Sequence, residues 1–129
     1  MNIKKIDLVP FYGFLSGVSL VGAASRARTK LNKSIMTAIN ELQDDEKALA
    51  EENNGTVDEN GSVNFEKPED KLAFVKAQVE LRDEKVIINE TVKEQFARLR
   101  NALEQYDKEL KDNEAVVYDK LLDALEEEK

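Results

Sequence analysis

The sequence contains no cysteine, no histidine and no tryptophan. Without cysteine the chain can form no disulfide, no thiolate metal site and no thiol nucleophile. Without histidine it lacks the usual general base near neutral pH and the commonest transition-metal ligand. These absences exclude Ser-His and Cys-His nucleophile systems. Only carboxylates, lysine, tyrosine or an oxygen-ligated ion remain as possible catalytic groups. We therefore expect a protein that is not an enzyme.

Motifs for catalysis or metal binding are missing as well. The chain has no glycine-rich phosphate loop and no nucleophile elbow. Acidic residues are numerous, but none follows the spacing of a calcium loop, and the stretch DENG at 58–61 fits a turn instead. We therefore expect no cofactor, and we assign no catalytic, cofactor-binding or metal-binding residue.

The composition indicates a folded, acidic protein. Its 129 residues fit one domain spanning 1–129. Charged residues make up 36% and hydrophobic residues 41% of the chain, and the apolar residues recur periodically, which argues against a disordered polyanion. The formal net charge of −8 disfavours direct nucleic-acid binding, because such binding requires basic side chains that neutralise phosphates.

The N-terminal segment MNIKKIDLVPFYGFLSGVSLVGAAS allows three interpretations. Lys4 and Lys5 precede an apolar stretch, and Val21-Gly22-Ala23 resembles a small-residue cleavage site, which is typical of a signal peptide. A membrane anchor is the second interpretation. However, Asp7 and Pro10 interrupt the stretch, and it is shorter than the about 20 apolar residues of a membrane helix. We therefore favour the third interpretation, a core segment of a cytoplasmic protein without membrane contact.

Apolar periodicity predicts a mostly α (α+β) fold with a long N-terminal helix, a helical core and a small β element in the middle. The predicted elements are a helical region over 7–53, a hairpin over 56–65, a helix over 69–82, a strand over 85–89, and helices over 91–107 and 113–127. Thr91 and Glu94 form a capping-box pattern. The strand could join the hairpin as a three-stranded sheet. We expect apolar stripes such as Leu72, Val75 and Val79 to pack in the core.

The hairpin sequence TVDENGSVNF is compatible with two loops. A two-residue Asn-Gly turn places Val57 opposite Asn64. A three-residue loop over 59–61, with Gly61 left-handed in a bulge, places Val57 opposite Val63. We favour the second loop because it pairs two β-branched residues across the strands.

Positive charge is concentrated near the N-terminus. Residues 1–40 carry six basic and one acidic side chain, whereas residues 41–129 carry thirteen basic and twenty-six acidic. One interpretation is intramolecular pairing with the acidic C-terminal helices, through exposed pairs worth about 0–1 kcal/mol each. The other is a docking surface for an acidic partner or a phosphate. We favour the first and keep as candidate docking residues four side chains, here called the basic cluster: Arg26, Arg28, Lys30 and Lys33.

Acidic residues form a second candidate surface near the end of the predicted long helix. One interpretation is solubility. The sharper interpretation is a nucleic-acid mimic that occupies the basic groove of a nuclease. This surface, here called the acidic face, has five members: Asp44, Asp45, Glu46, Glu51 and Glu52. A further acidic run ends the chain at 126–128.

Four stretches spread over nearly the whole chain are distinctive: IDLVPFYGFL, SRARTKL, EKVIINET and YDKLLDALEEE. Together they resemble a domain-of-unknown-function family of small proteins encoded by phages and prophages of Gram-positive bacteria. The resemblance implies a phage source, expression with late or structural genes, and no catalytic residue to transfer.

From this resemblance we expect a phage accessory protein that acts by protein–protein interaction in virion or tail assembly. Its partner would be a phage structural protein or a host protein, and its location the host bacterial cytoplasm or the virion. The alternative is an acidic inhibitor of a host defence nuclease. The sequence does not define an oligomeric state.

Overall fold

Helices dominate the protein, which confirms the predicted mostly α fold with a small β component. The computed structural model describes residues 1–126, so the last residue of the predicted helix 113–127 and Glu127 and Glu128 of the acidic end lie outside the described residues. The helices are α1 (Leu8–Gly17), α2 (Gly22–Glu52), α3 (Pro68–Asp83), α4 (Gln95–Glu104) and α5 (Asn113–Glu126). The strands are β1 (Asn2–Lys4), β2 (Thr56–Val57), β3 (Val63–Asn64) and β4 (Lys85–Ile87).

The predicted helical region over 7–53 consists of two helices joined by residues 18–21. Val18 and Val21 have extended backbones, and Gly22 has a φ of +57°, a conformation that glycine adopts without steric cost. α2 then runs for 31 residues, which corresponds to roughly 46 Å at about 1.5 Å per residue. This length allows α2 to contact α1 and α4 as well as α3 and β2.

Four helices, α1, α2, α4 and α5, enclose the main hydrophobic core. Each contributes apolar residues at helical spacing, so that one face of each helix is buried. These residues are Leu8, Phe11, Leu15, Ala27, Leu31, Ile35, Ala38, Ile39, Leu42, Phe96, Leu99, Leu103, Leu121, Ala124 and Leu125. Met1, Ile3 and Val18 belong to the same core. The N-terminal segment therefore packs as the core segment that the sequence favoured.

The first strand, β1, has no signal in the sequence. It pairs with strand β4, which was expected to pair with the hairpin. β1 pairs antiparallel with β4, with Ile3 opposite Val86. The prediction that strand 85–89 joins the hairpin is therefore wrong, and within residues 1–126 each of the two sheets has two strands. Ile3 is 1% exposed and Val86 packs against the core, so this pairing covers apolar surface of the main core.

The hairpin confirms the three-residue loop. Val57 lies opposite Val63, and the Asp58 N–H donates to the Ser62 carbonyl at 2.9 Å. Gly61 has a φ of +83°, as a bulged loop with a left-handed glycine requires. The paired strands are shorter than the predicted 56–65, because only two residues on each side form the ladder.

The far end of α2 carries the hairpin and α3. α3 differs from the predicted helix 69–82 by one residue at each end and begins with a proline at its first position. Phe74 of α3 packs against Phe65, with ring centroids 5.3 Å apart and the rings tilted by 39°. A Cβ on Gly55 would lie 2.6 Å from a ring atom of Phe65, so this small second core requires glycine there.

The start of α4 differs from the prediction. Thr91 to Glu94 form a turn rather than a capping box, and Glu94 is left-handed with a φ of +60°. The Thr91 N–H donates to Oε1 of Gln95 at 2.8 Å. In the predicted capping box the acceptor would have been the side chain of Glu94, one position earlier. α4 therefore begins at Gln95, which is 1% exposed, and ends at Glu104 rather than at residue 107.

Candidate functional site

The basic cluster lies on the first half of α2 and forms no ion pair within residues 1–126. The prediction that it pairs with the acidic C-terminal helices is therefore wrong for the described part of the chain. Basic residues near the N-terminus do meet later acids, but through Lys4, which lies 3.1 Å from Asp83, and Lys5, which lies 2.9 Å from Glu84. The pairing of β1 with β4 brings these lysines to the end of α3.

Arg28 closes the C-terminal end of α1. Its Nη1 donates to the carbonyl oxygens of Leu15 at 2.9 Å and Val18 at 2.6 Å, and its Nη2 donates to Oγ of Ser25 at 3.3 Å. The last carbonyls of a helix have no intrahelical partner, and a cation there also interacts favourably with the helix dipole. Arg28 is half-buried, and these hydrogen bonds hold α1 against α2.

The other three members of the basic cluster follow the spacing i, i+4 and i+7 and therefore share one face of α2. Arg26 and Lys33 are exposed, and Lys30 is half-buried. Arg26 lines a pocket at the start of α2, whereas Lys33 lines a different pocket together with Arg28, beside Tyr12 of α1. The structure thus places Arg26 and Lys33 at separate pockets.

Asn32 is a structural residue that sequence reasoning missed. It is 9% exposed, and its Nδ2 donates to the Tyr12 carbonyl at 3.3 Å and to Oγ of Ser16 at 3.1 Å. Its Oδ1 is buried and has no hydrogen-bond partner within the described residues. The available signal was its spacing, since Asn32 lies one helical turn from both Arg28 and Ile35 on the face that meets α1.

The acidic face loses one of its five members to an internal contact. Oε2 of Glu46 accepts a hydrogen bond from Nη2 of Arg82 at 2.8 Å and another from Nε2 of Gln78. The Glu46 side chain is only 17% exposed, so it fixes α3 to α2. The remaining members are exposed: Asp44, Asp45, Glu51 and Glu52.

An apolar stripe on α3 is the least expected surface feature. Leu72, Val75 and Val79 are 71%, 44% and 64% exposed, although the sequence predicted that they pack in the core. The reason is that α3 is held at other points: Phe74 is buried on a different side of the helix, and Arg82 meets Glu46 of α2. These three residues, here called the apolar stripe, follow the spacing i, i+3 and i+7 and therefore share one face of the helix.

Three further observations concern sites and relatives. Within residues 1–126, no group of three or more acidic side chains is arranged to hold a metal ion. No helix in that part of the chain has the length and apolar character that a membrane crossing requires. No protein-family model matches the chain, and no match was found among curated proteins or among solved structures.

Proposed function

We propose that this protein is a non-enzymatic phage accessory protein that binds a phage structural protein during virion or tail assembly. The apolar stripe is the observation that carries the binding function. The assembly role follows from the resemblance to phage and prophage proteins. Because the stripe residues lie on a helix, the partner would receive α3 in an apolar groove, as in other helix-in-groove complexes.

The energetics support binding through this stripe. Full burial of a leucine or valine side chain stabilises by about 1.5–3 kcal/mol. The three stripe residues are largely exposed, so a partner that covers them would gain much of this free energy on binding. Clustered apolar exposure on one helix face differs from the scattered exposure that is normal on protein surfaces. The stripe can be covered without refolding, because α3 is already fixed to α2 through Phe74 and the Glu46–Arg82 pair.

The test compares two exposed valines on different helices. Tagged wild type, Val79→Gln and Val9→Gln are used to capture proteins from a lysate of phage-infected host cells, and captured proteins are identified by mass spectrometry. Val9 is 60% exposed on α1, close to the 64% of Val79, so it is a matched control. We expect wild type and the Val9 variant to capture a virion or tail protein and the Val79 variant to lose it.

Two outcomes would contradict the proposal. The first is capture of the same virion protein by Val79→Gln and wild type. The second is self-association of the wild-type protein, measured by light scattering, that Val79→Gln abolishes, because the stripe would then bind a second copy. All three proteins should have the same melting temperature within the error of the measurement, since exposed substitutions change stability by about 0.5 kcal/mol or less.

The alternative function, inhibition of a host defence nuclease, rests on the exposed acids of the acidic face. Their exposure is what a nucleic-acid mimic requires, since its carboxylates must reach the basic groove of the enzyme. In the same capture experiment this function predicts a nuclease as the captured protein. Capture of the nuclease would depend on Asp44 and Asp45 and would not change in Val79→Gln.

A further inference from the structure

A pocket of about 470 Å³ lies where the first turn of α2 meets the first turn of α4. Its residues come from both helices and from the turn that precedes α4: Gly22, Ala23, Arg26, Ala27, Val92, Lys93, Gln95 and Arg98. The volume is in the range of small-molecule sites. We call it the basic pocket.

The charge of the basic pocket is opposite to that of the protein. Three cationic side chains line it and no acidic one does, in a chain of formal net charge −8. Arg98 has a neighbouring acid, Glu94, at 3.4 Å. Arg26 and Lys93 have no ion pair or side-chain hydrogen bond within residues 1–126. Uncompensated like charges repel one another, so Arg26 and Lys93 gain no stabilisation from internal ion pairs.

The backbone adds to this positive potential. Both α2 and α4 begin at the pocket, and neither has a side-chain hydrogen bond at its N-cap. The first N–H groups of a helix have no intrahelical partner and form the positive end of the helix dipole. Two helix starts and three cationic side chains therefore border the same space.

Gln95 holds the two helix starts in place. Its Nε2 donates to the carbonyl oxygen of Ala27 in α2 at 3.2 Å. Its Oε1 accepts from the Thr91 N–H at 2.8 Å, which fixes the turn that carries Lys93. Because Gln95 is 1% exposed and lines the pocket, the backbone of the two helix starts is held in place before any ligand binds.

We propose that the basic pocket binds a phosphate group, either as inorganic phosphate or as a small phosphate monoester. Arginine forks and free helix N–H groups match the oxygens of a tetrahedral phosphate. The Gln95 N–H is not among the free groups, because it donates to the Val92 carbonyl at 3.3 Å. The lining contains no aromatic ring on which a nucleotide base could stack. We therefore expect the pocket to recognise the phosphate group and not a base. This site lies on different elements from the apolar stripe and does not depend on the proposed function.

Calorimetric titration with sodium phosphate, at a total ionic strength held constant with sodium chloride, tests the proposal. A parallel titration with glycerol 3-phosphate separates the two sources of the group, since the tighter ligand identifies the form that the pocket prefers. The variants are Arg26→Gln and Lys93→Gln, both at exposed positions. The matched control is Lys33→Gln, an exposed cation on the same helix as Arg26 that does not line the pocket.

We expect each pocket variant to raise the dissociation constant for phosphate about tenfold or more, because a hydrogen bond to a charged group contributes about 1.5–3 kcal/mol. The control should bind as wild type does. Two results would overturn the proposal: no saturable binding of either ligand by the wild-type protein, or equal weakening in Lys33→Gln and Arg26→Gln. The latter would mean that phosphate responds to net charge rather than to this pocket.

Discussion

Nη1 of Arg28 donates a hydrogen bond to the carbonyl oxygen of Val18 at 2.6 Å. Val18 directly follows Gly17, the last residue of α1, and Arg28 lies in the second turn of α2. One of the four charges that the sequence offered to acidic partners therefore binds backbone carbonyls. Its contribution to stability should differ in kind from that of an ion pair between exposed side chains.

Replacement of Arg28 tests this difference. Arg28→Met should lower the free energy of unfolding by about 1.5–3 kcal/mol, the range for hydrogen bonds that involve a charged group. Because the partners are carbonyls in direct contact, the loss should persist at 1 M salt, where the screening length falls to about 3 Å. Urea unfolding at 0.1 M and 1 M sodium chloride measures it. Lys33→Met is the control, and a loss that disappears at high salt would contradict the carbonyl contact.

The burial of β1 gives a second prediction. Ile3 is 1% exposed, whereas Ile6, three residues later, is 56% exposed. Ile3→Ala should destabilise by about 2–5 kcal/mol because it leaves a cavity in the core. Ile6→Ala should change stability by about 0.5 kcal/mol or less. Thermal or urea unfolding of both variants measures the contrast, and equal effects would mean that β1 does not pack as described.

The loop of the hairpin gives a third prediction. Gly61 has a φ of +83°, and a Cβ there would meet no atom within 4 Å, so backbone strain is the sole cost of a side chain. Gly61→Ala should therefore destabilise by about 1 kcal/mol. Gly13 also has free space around a Cβ but lies inside α1, where alanine is favoured by about 0.5–1 kcal/mol. Opposite signs for the two substitutions in melting experiments would confirm the loop geometry.

The fourth prediction separates two acids of the acidic face. Glu46→Ala removes the acceptor of two hydrogen bonds, from Nη2 of Arg82 and from Nε2 of Gln78. The expected loss of stability is about 1–3 kcal/mol, the range for partly buried hydrogen bonds that involve a charged group. Asp45→Ala removes an exposed neighbour and should change stability by about 0.5 kcal/mol or less. Chemical denaturation of the pair measures the difference, and indistinguishable midpoints would contradict the role of Glu46.

Local features of the fold could be predicted from the sequence. The register of Val57 with Val63 followed from one glycine and two β-branched residues, because a hairpin is determined by its loop. The start of α3, to within one residue, followed from Pro68 and the acids after it, since helix starts have strong positional preferences. In both cases the residues that decide the structure are neighbours in the chain.

Features that depend on distant contacts could not be predicted. β1 exists because it pairs with β4, and three residues carry too little local pattern to reveal a strand. The capping box at Thr91 was overridden by Gln95, whose amide bonds to Ala27 of another helix. The apolar stripe was assigned to the core because periodicity shows which residues share a face but not whether another element covers that face.

The pairing of β1 with β4 also determines an order of events during synthesis. Synthesis runs from the N-terminal to the C-terminal side, so Ile3 is made before Val86, its cross-strand neighbour, which follows about 4–17 s later at about 5–20 residues per second. Helices α1 and α2 contain mainly local hydrogen bonds and can form within microseconds. β1 must therefore wait, with its isoleucine unpaired, until β4 has been made, and this sheet is completed later than α1 and α2.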